Sequence, residues 1–181
     1  AAELEVKYAD KRMVSQPDYD KMQGMVEALH RHPYVKHLME AKDRELTGIW
    51  YDVNNKLPCK IRPDLIDHEK RIIVDLKSCQ SAAEDDANRD IFRFGYDISA
   101  AWYKWGAKEI TGHEYSFIDV FVEKEPPHGI TWFPMGGLTI RYAWEAIGRV
   151  LGDLSDCLDT DKWPSYDIGP CEPNVPGWRI K

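Results

Sequence analysis

A chain of 181 residues, 43% of them hydrophobic, has enough apolar material for one α/β or α+β domain with a real core. Its formal charge of −7 excludes a generally sticky polyanion binder but leaves room for a local basic groove around an acidic site. No apolar run reaches the ~18 residues of a membrane span, and the start, an alanine, carries no secretory signal, which suits a cytoplasmic protein and either a processed chain or a fragment.

Residues 1–14 are charged and without period, and read as a tail or an edge segment. "SQPDYDKMQGMVEALHRHP" reads as a helix. Pro17 suits its first turn, Asp18 and Asp20 favour its N-terminal dipole, Met22, Met25, Val26 and Leu29 form an apolar stripe, and Pro33 ends it. "YVKHLMEA" adds a short helix. "ELTGIWYD" alternates like a strand and "VNNKLP" turns it. Two further strands are expected at about 58–66 and 72–77. A helical region follows, strongest in "DIFRFGYDISAAWYKWG". "SFIDVFVEK" and "GITWFPM" are strands joined by a Pro-rich turn, and "LTIRYAWEAIGRVLGDLSDCL" is a long amphipathic helix. The order predicts an α/β fold, a mixed sheet flanked by helices, with one domain over 1–166 and a Gly/Pro-rich tail over 167–181. The four cysteines form no C-x-x-C pair, so buried free thiols are expected rather than a zinc site.

The chemistry concentrates in "CKIRPDLIDHEKRIIVDLKS", Cys59 to Ser78. A four-residue loop, His68 to Arg71, would set Asp67 opposite Ile72 and, by continuing the register, Asp64 opposite Asp75 and Arg62 opposite Lys77. Side chains alternate along a strand, so these would share one face, with Ile61, Leu65, Val74 and Leu76 on the other. Opposed carboxylates repel. A hard divalent cation, Mg²⁺ or Mn²⁺, would relieve them. Pro63 cannot donate to a ladder and implies an edge or a bulge. Against this stands the plain reading: Asp-x-Lys is common on surface hairpins, and a one-residue slip would separate the aspartates.

"RPD" followed by "VDLK" resembles the PD-(D/E)XK nuclease motif. "GIWYDVNNKLPCKIRPDLID", "YDISAAWYKWG" and "LSDCLDTDKWPSY" are similar, in the right order, to blocks of the exonuclease VIII (RecE-type) branch. The resemblance covers most of 17–166. It implies a restriction-endonuclease-like core and a magnesium-dependent, ATP-independent 5′–3′ exodeoxyribonuclease on linear duplex DNA, bacterial or phage-encoded. It also implies service in phage or prophage recombination, a single-strand annealing partner and a homo-oligomeric ring.

Carried over by residue, the resemblance makes Asp64 and Asp75 metal ligands and Lys77 the motif lysine. The Leu76 carbonyl and Glu45 are further candidate ligands, and Tyr103 matches the motif tyrosine. Lys60, Arg62, Arg89, Arg93 and Lys104 are candidate DNA contacts, each equally able to be a solvated charge. Two features depart from the pattern. Ser99 stands where the family has glutamine, and no Gly-x-x-x-His-x-x-x-Glu motif occurs; His30, His32 and His37 lack its spacing. A helix bearing that motif would lie upstream, leaving an exposed apolar patch or a partner subunit on that side of the cleft. The rival readings are a non-catalytic DNA-binding or assembly module, and an endonuclease sharing the fold.

Overall fold

The computed structural model describes residues 13–165, 169 and 172–175. Residues 1–12 and most of the expected tail at 167–181, with Cys171, lie outside the described residues. No described helix is long and apolar enough to cross a membrane.

Helix α1, Gln16–Arg31, starts where Ser15 accepts from the Asp18 amide at 3.3 Å and ends at extended His32, just before Pro33. Only part of the expected apolar stripe turns inward: Met25 and Leu29 pack on the sheet, whereas Met22 and Val26 are exposed. Gly24 explains the rotation. It lies so close to His128 that a Cβ there would meet the imidazole Nε2 at 2.3 Å. A short α2, Val35–Leu38, follows.

The strands are β1 (Asp43–Arg44), β2 (Gly48–Asp52), β3 (Leu57–Ile61), β4 (Leu65–Asp67), β5 (Ile72–Cys79), β6 (Ser116–Glu123) and β7 (Ile130–Met135). Five form a mixed sheet in the order β1-β4-β5-β6-β7, parallel only between β5 and β6, while β2 and β3 make a separate antiparallel hairpin. The helical region is two helices, α3 (Glu84–Arg93) and α4 (Tyr96–Thr111), broken at Gly95, whose φ of +68° suits glycine. Helix α5, Gly137–Thr160, packs outside α4 through Ala143, Ile147 and Leu151.

The expected strand at 58–66 is thus two strands of two sheets. Pro63 is buried and has no amide to donate, so strand pairing lapses over Arg62–Asp64. The chain leaves one sheet and enters the other there. Two expectations are corrected as a result. Arg62 does not oppose Lys77, and Ile61 joins the apolar cluster on the α4 side of the sheet rather than that of Leu65 and Val74. The tight hairpin itself stands as read: Asp67 pairs with Ile72 and Leu65 with Val74.

The sheet is buried on both faces. Leu65, Val74, Ile118, Val120 and Val122 face α1 and α2, and Ile73, Phe117, Phe121 and Met135 face α4 and the hairpin. The hairpin rests on α4 through Trp50, which meets Trp102 and Trp105 with centroids 5.3 Å apart in each pair. Cys59 and Cys79 are buried free thiols and Cys157 is a half-buried one.

Gly106 of α4 sits under this aromatic group; a Cβ would lie 2.7 Å from both Trp50 and Ile61. Alanine gains about 1 kcal/mol of helix propensity, but overpacking a rigid aromatic site costs about 1–3 kcal/mol. Gly106→Ala is therefore expected to destabilise the domain on balance, read as a lower urea midpoint at unchanged m-value. An unchanged or higher midpoint would show that Trp50 yields.

Candidate active site

Residue parity in β5 sets the chemistry. Ile73, Asp75, Lys77 and Cys79 point toward α4, and Val74 and Leu76 toward α1 and α2. Asp75 is buried, at 7% exposure, and its Oδ2 accepts from Lys77 Nζ at 2.5 Å. The Lys77 ammonium also lies over the Tyr96 ring, 4.3 Å from its centroid.

Asp64 arrives from the break after Pro63. Its Oδ2 accepts from the Leu76 amide at 2.7 Å, and its carboxyl group is close enough to hydrogen-bond that of Asp75. The expected meeting of Asp64, Asp75 and Lys77 is what the structure shows. Leu76 takes part through its amide. Tyr103 supports the break from α4: its hydroxyl donates to the Arg62 carbonyl at 3.3 Å, and its ring meets Phe117 edge-on. One turn away, Ser99 spends its hydroxyl on the Gly95 carbonyl at 3.5 Å.

A third carboxylate, missed in the sequence reading, completes the group. Asp119 is the β6 register partner of Asp75 and stands between Phe117 and Phe121 on the same face. It is wholly buried, and neither of its oxygens has a hydrogen-bond partner. The signal was available: in Phe-Ile-Asp-Val-Phe an acid shares parity with two aromatics in a strand apolar on both faces.

These neighbours hold one another away from ordinary charge states. Burial, then the hydrogen bond with Asp64, pushes the Asp75 carboxyl up to about 6, although Lys77 pulls it down. Burial, then the Asp75 charge, pushes Asp119 up to about 7. For Lys77, burial works to lower the ammonium, but the hydrogen bond and charge of Asp75, with Asp119, outweigh it and the net direction is upward. The ion pair by itself would lower Asp75, so burial, with the Asp64 carboxyl beside it, outweighs Lys77. Burial and the Asp75 charge also raise the Tyr103 phenol, which stays a neutral donor.

Beyond Lys77 opens a groove of about 480 Å³, lined by Gln80, Ser81, Arg89, Arg93, Phe94, Tyr96 and Lys124 among others. Arg89 is held by Asp86 at 3.1 Å, and the Arg93 guanidinium lies 5.2 Å from the exposed Phe94 ring. The other candidate DNA contacts lie elsewhere. Lys60 is exposed on β3, away from the groove lining. Arg62 is paired with Glu45, which occupies both side chains; Glu45 sits in the β1–β2 connection at φ +48°, not at the head of a strand. Lys104 is corrected as a surface cation: it is half-buried, donates to the Tyr115 carbonyl, and burial lowers its ammonium. His32 caps α2 by accepting from the Val35 amide at 3.1 Å, and His37 pairs with Glu40 at 3.3 Å, so neither substitutes for the missing histidine.

Two converging carboxylates in a charge-deficient setting are a hard-oxygen donor set. Among the described residues no three His, Cys, Asp or Glu side chains close a ligand cage. By donor chemistry, Asp64 and Asp75 would fit a hard ion such as Mg²⁺, which usually binds through one or two carboxylates and keeps waters and substrate phosphate oxygens for its other positions. The orphaned Asp119 oxygens mark the same unmet demand for positive charge.

Stability should register this deficit. With both pKa values raised, the folded protein binds more protons than the unfolded one between about pH 4 and about pH 7. The stability contribution is present below that window and lost as pH rises through it. In cation-free protein, Asp119→Asn should gain on wild type by more than about 1 kcal/mol between about pH 5 and about pH 8. Urea unfolding at the two pH values reads the gap; a pH-independent gap would contradict a raised Asp119.

No curated protein sequence matches the chain. In the fold, the crystal structure of a "putative exonuclease" from Eubacterium rectale superposes with a TM-score of 0.69 at 15% identity, covering 90% of this chain and 65% of that one. The chain thus spans about two thirds of that relative's length. A phage-related exonuclease from Haemophilus somnus 129PT superposes with a TM-score of 0.49 at 12% identity, covering 87% of this chain and 79% of that one. A family profile matches residues 2–173: the chain belongs to the PDDEXK-like domain family of unknown function DUF3799.

Proposed function

We propose that the chain is a Mg²⁺-dependent, ATP-independent exodeoxyribonuclease that degrades linear double-stranded DNA, 5′ to 3′, in phage- or prophage-type recombination. One observation carries the nuclease reading: Asp64 from the strand break and Asp75 from β5 come together with Lys77 on the same face, at the head of a groove bearing Arg89, Arg93 and Lys124. The exonuclease polarity, the annealing partner and the homo-oligomeric ring rest on the RecE-type resemblance.

Asp64 and Asp75, with the Leu76 carbonyl, would hold a divalent cation, Mg²⁺ or Mn²⁺. Such an ion polarises a phosphodiester and lowers the pKa of an attacking water. The remaining work falls to the chain. The Leu76 amide fixes one oxygen of Asp64, leaving the carboxylate aimed across at Asp75. Tyr103 holds the Arg62 carbonyl and so the approach to Pro63. Lys77, kept cationic and steered by the Tyr96 face, is placed to orient water and to stabilise charge on a pentavalent phosphate. The groove cations receive the backbone, and Phe94 beside Arg93 offers a face on which an unpaired base stacks.

Digestion of linear duplex DNA tests the proposal. Wild type should cleave with Mg²⁺ and not with EDTA. Asp75→Ala should abolish cleavage with the fold retained, and Lys77→Met should cost about 10²-fold. Intact circular DNA under the same conditions distinguishes an end-dependent enzyme from an endonuclease. DNA binding without any Mg²⁺-dependent cleavage would instead make the chain a binding module. Separately, Arg93→Ala should weaken DNA binding across sequences and reduce the slope of log K against log salt by about 1. An unchanged slope would take Arg93 out of the phosphate path.

A further inference from the structure

Asp119 has no task in the chemistry so far, and its environment demands one. Among the described residues, Asp52 accepts from Asn54 and Asn55, and the His128 ring bonds the Glu123 carbonyl; the Trp50 indole N–H is the other buried polar group without a partner. Both Asp119 oxygens are buried without a partner. Burial favours its neutral acid form in the unloaded site; once ionised, the carboxylate needs a cation beside it. The charged and titratable groups facing it are Asp75 and Lys77 from β5, Asp64 from the strand break, and Asp97 from α4, with Tyr96 beside Lys77. Lys77 is the one cation among them.

Lys77 stands one pleat beyond the Asp75–Asp119 pair, opposite Phe121, on the face both carboxylates share. In the described state its ammonium is given to Asp75. A divalent cation held by Asp75 and Asp64 would compete with the ammonium for the Asp75 oxygens. A displaced ammonium would have the Tyr96 face and the water of the groove, and Asp119 is the carboxylate without a partner on its own face.

We propose, on the nuclease reading above, that Asp119 is a positioning residue that takes over the Lys77 ammonium when Asp75 turns to a cation. The lysine then stays anchored to β6 beside the reacting phosphate rather than swinging into the groove. Cation loading thus satisfies the buried carboxylate that the unloaded site leaves without a partner.

The test uses the whole chain with Mg²⁺ and no DNA, so it does not depend on cleavage. NMR relaxation reports the order of the Lys77 side chain. In wild type it should stay ordered before and after saturation with Mg²⁺. In Asp119→Asn it should be ordered without Mg²⁺, still on Asp75, and mobile with it. A lysine equally ordered in the loaded variant overturns the proposal, as does a wild type that binds no Mg²⁺. Should Asp119→Asn fail to fold, the Asp119 carboxyl ¹³C resonance serves: it should move with Mg²⁺ in wild type and not in Lys77→Met. Equal movement in both would make Asp119 a cation ligand and overturn the positioning role. In cleavage, Asp119→Asn should lower kcat about 10- to 100-fold at unchanged KM and add nothing in a Lys77→Met background; full additivity counts against it. If the lysine transfers as described but no DNA is cut, the nuclease reading fails and the transfer stands.

Discussion

The arrangement turns on a mismatch of charge. Three carboxylates, Asp64, Asp75 and Asp119, converge on the α4 side of the sheet, and one ammonium, Lys77, faces them. In water that imbalance would be trivial. Beneath a layer of phenylalanine, tyrosine and tryptophan it is not, because the low local polarisability strengthens repulsion and removes solvation together. Burial, and then the neighbouring carboxyl groups, raise Asp75 and Asp119, and the same carboxylates raise Lys77 against its own burial. The surrounding fold must be stiff enough to hold the repelling groups together without the ion that would reconcile them.

That stiffness comes from elements with no chemistry of their own. The central parallel pair β5–β6 is covered on both faces, which fixes Asp75 and Asp119 in register. The strand break is pinned from two directions: the Leu76 amide holds the Asp64 side chain, and the Asp64 carbonyl accepts from the Glu45 amide at 3.0 Å. The hairpin loop is closed by Asp67, which accepts from the Lys70 amide at 2.8 Å; that bond lowers its pKa. A register slip would therefore break the loop as well as separate the aspartates.

Much of this was legible in the sequence, for local reasons. The loop from His68 to Arg71 was one choice among neighbouring registers; the structure bears out its register from Leu65 to Asp67, while Asp64 reaches Asp75 from the unpaired break. The PD-(D/E)XK likeness read from "RPD" and "VDLK" is borne out by the family match. What escaped depends on tertiary choice. Pro63 signalled an edge or bulge, but nothing local said the chain would change sheets there and carry Ile61 to the opposite cluster. The helical pattern ran through Gly95 because the apolar period continues across it. Lys104 was read as a DNA contact or a solvated charge and Glu45 as a candidate ligand because their partners, the Tyr115 carbonyl and Arg62, are distant in sequence. Asp119 was passed over as one polar residue in a good strand, since the burial of both faces of β6 is decided by helices far from it.

Helix α4 has a wider significance as a splint. On consecutive residues it sends two side chains to the far side of the strand break: the Trp102 indole donates to the Lys60 carbonyl at 3.0 Å, and the Tyr103 hydroxyl reaches the Arg62 carbonyl. The same helix carries Tyr96, over which Lys77 lies, and α5 is clamped to its outer surface. A force applied to α5, by a bound macromolecule or a neighbouring subunit, would be transmitted along a rigid rod to both Asp64 and Lys77 while leaving the buried β5–β6 pair in place. The placement of Asp64 and of Lys77 thus shares one support, α4, whose outer face is covered by α5.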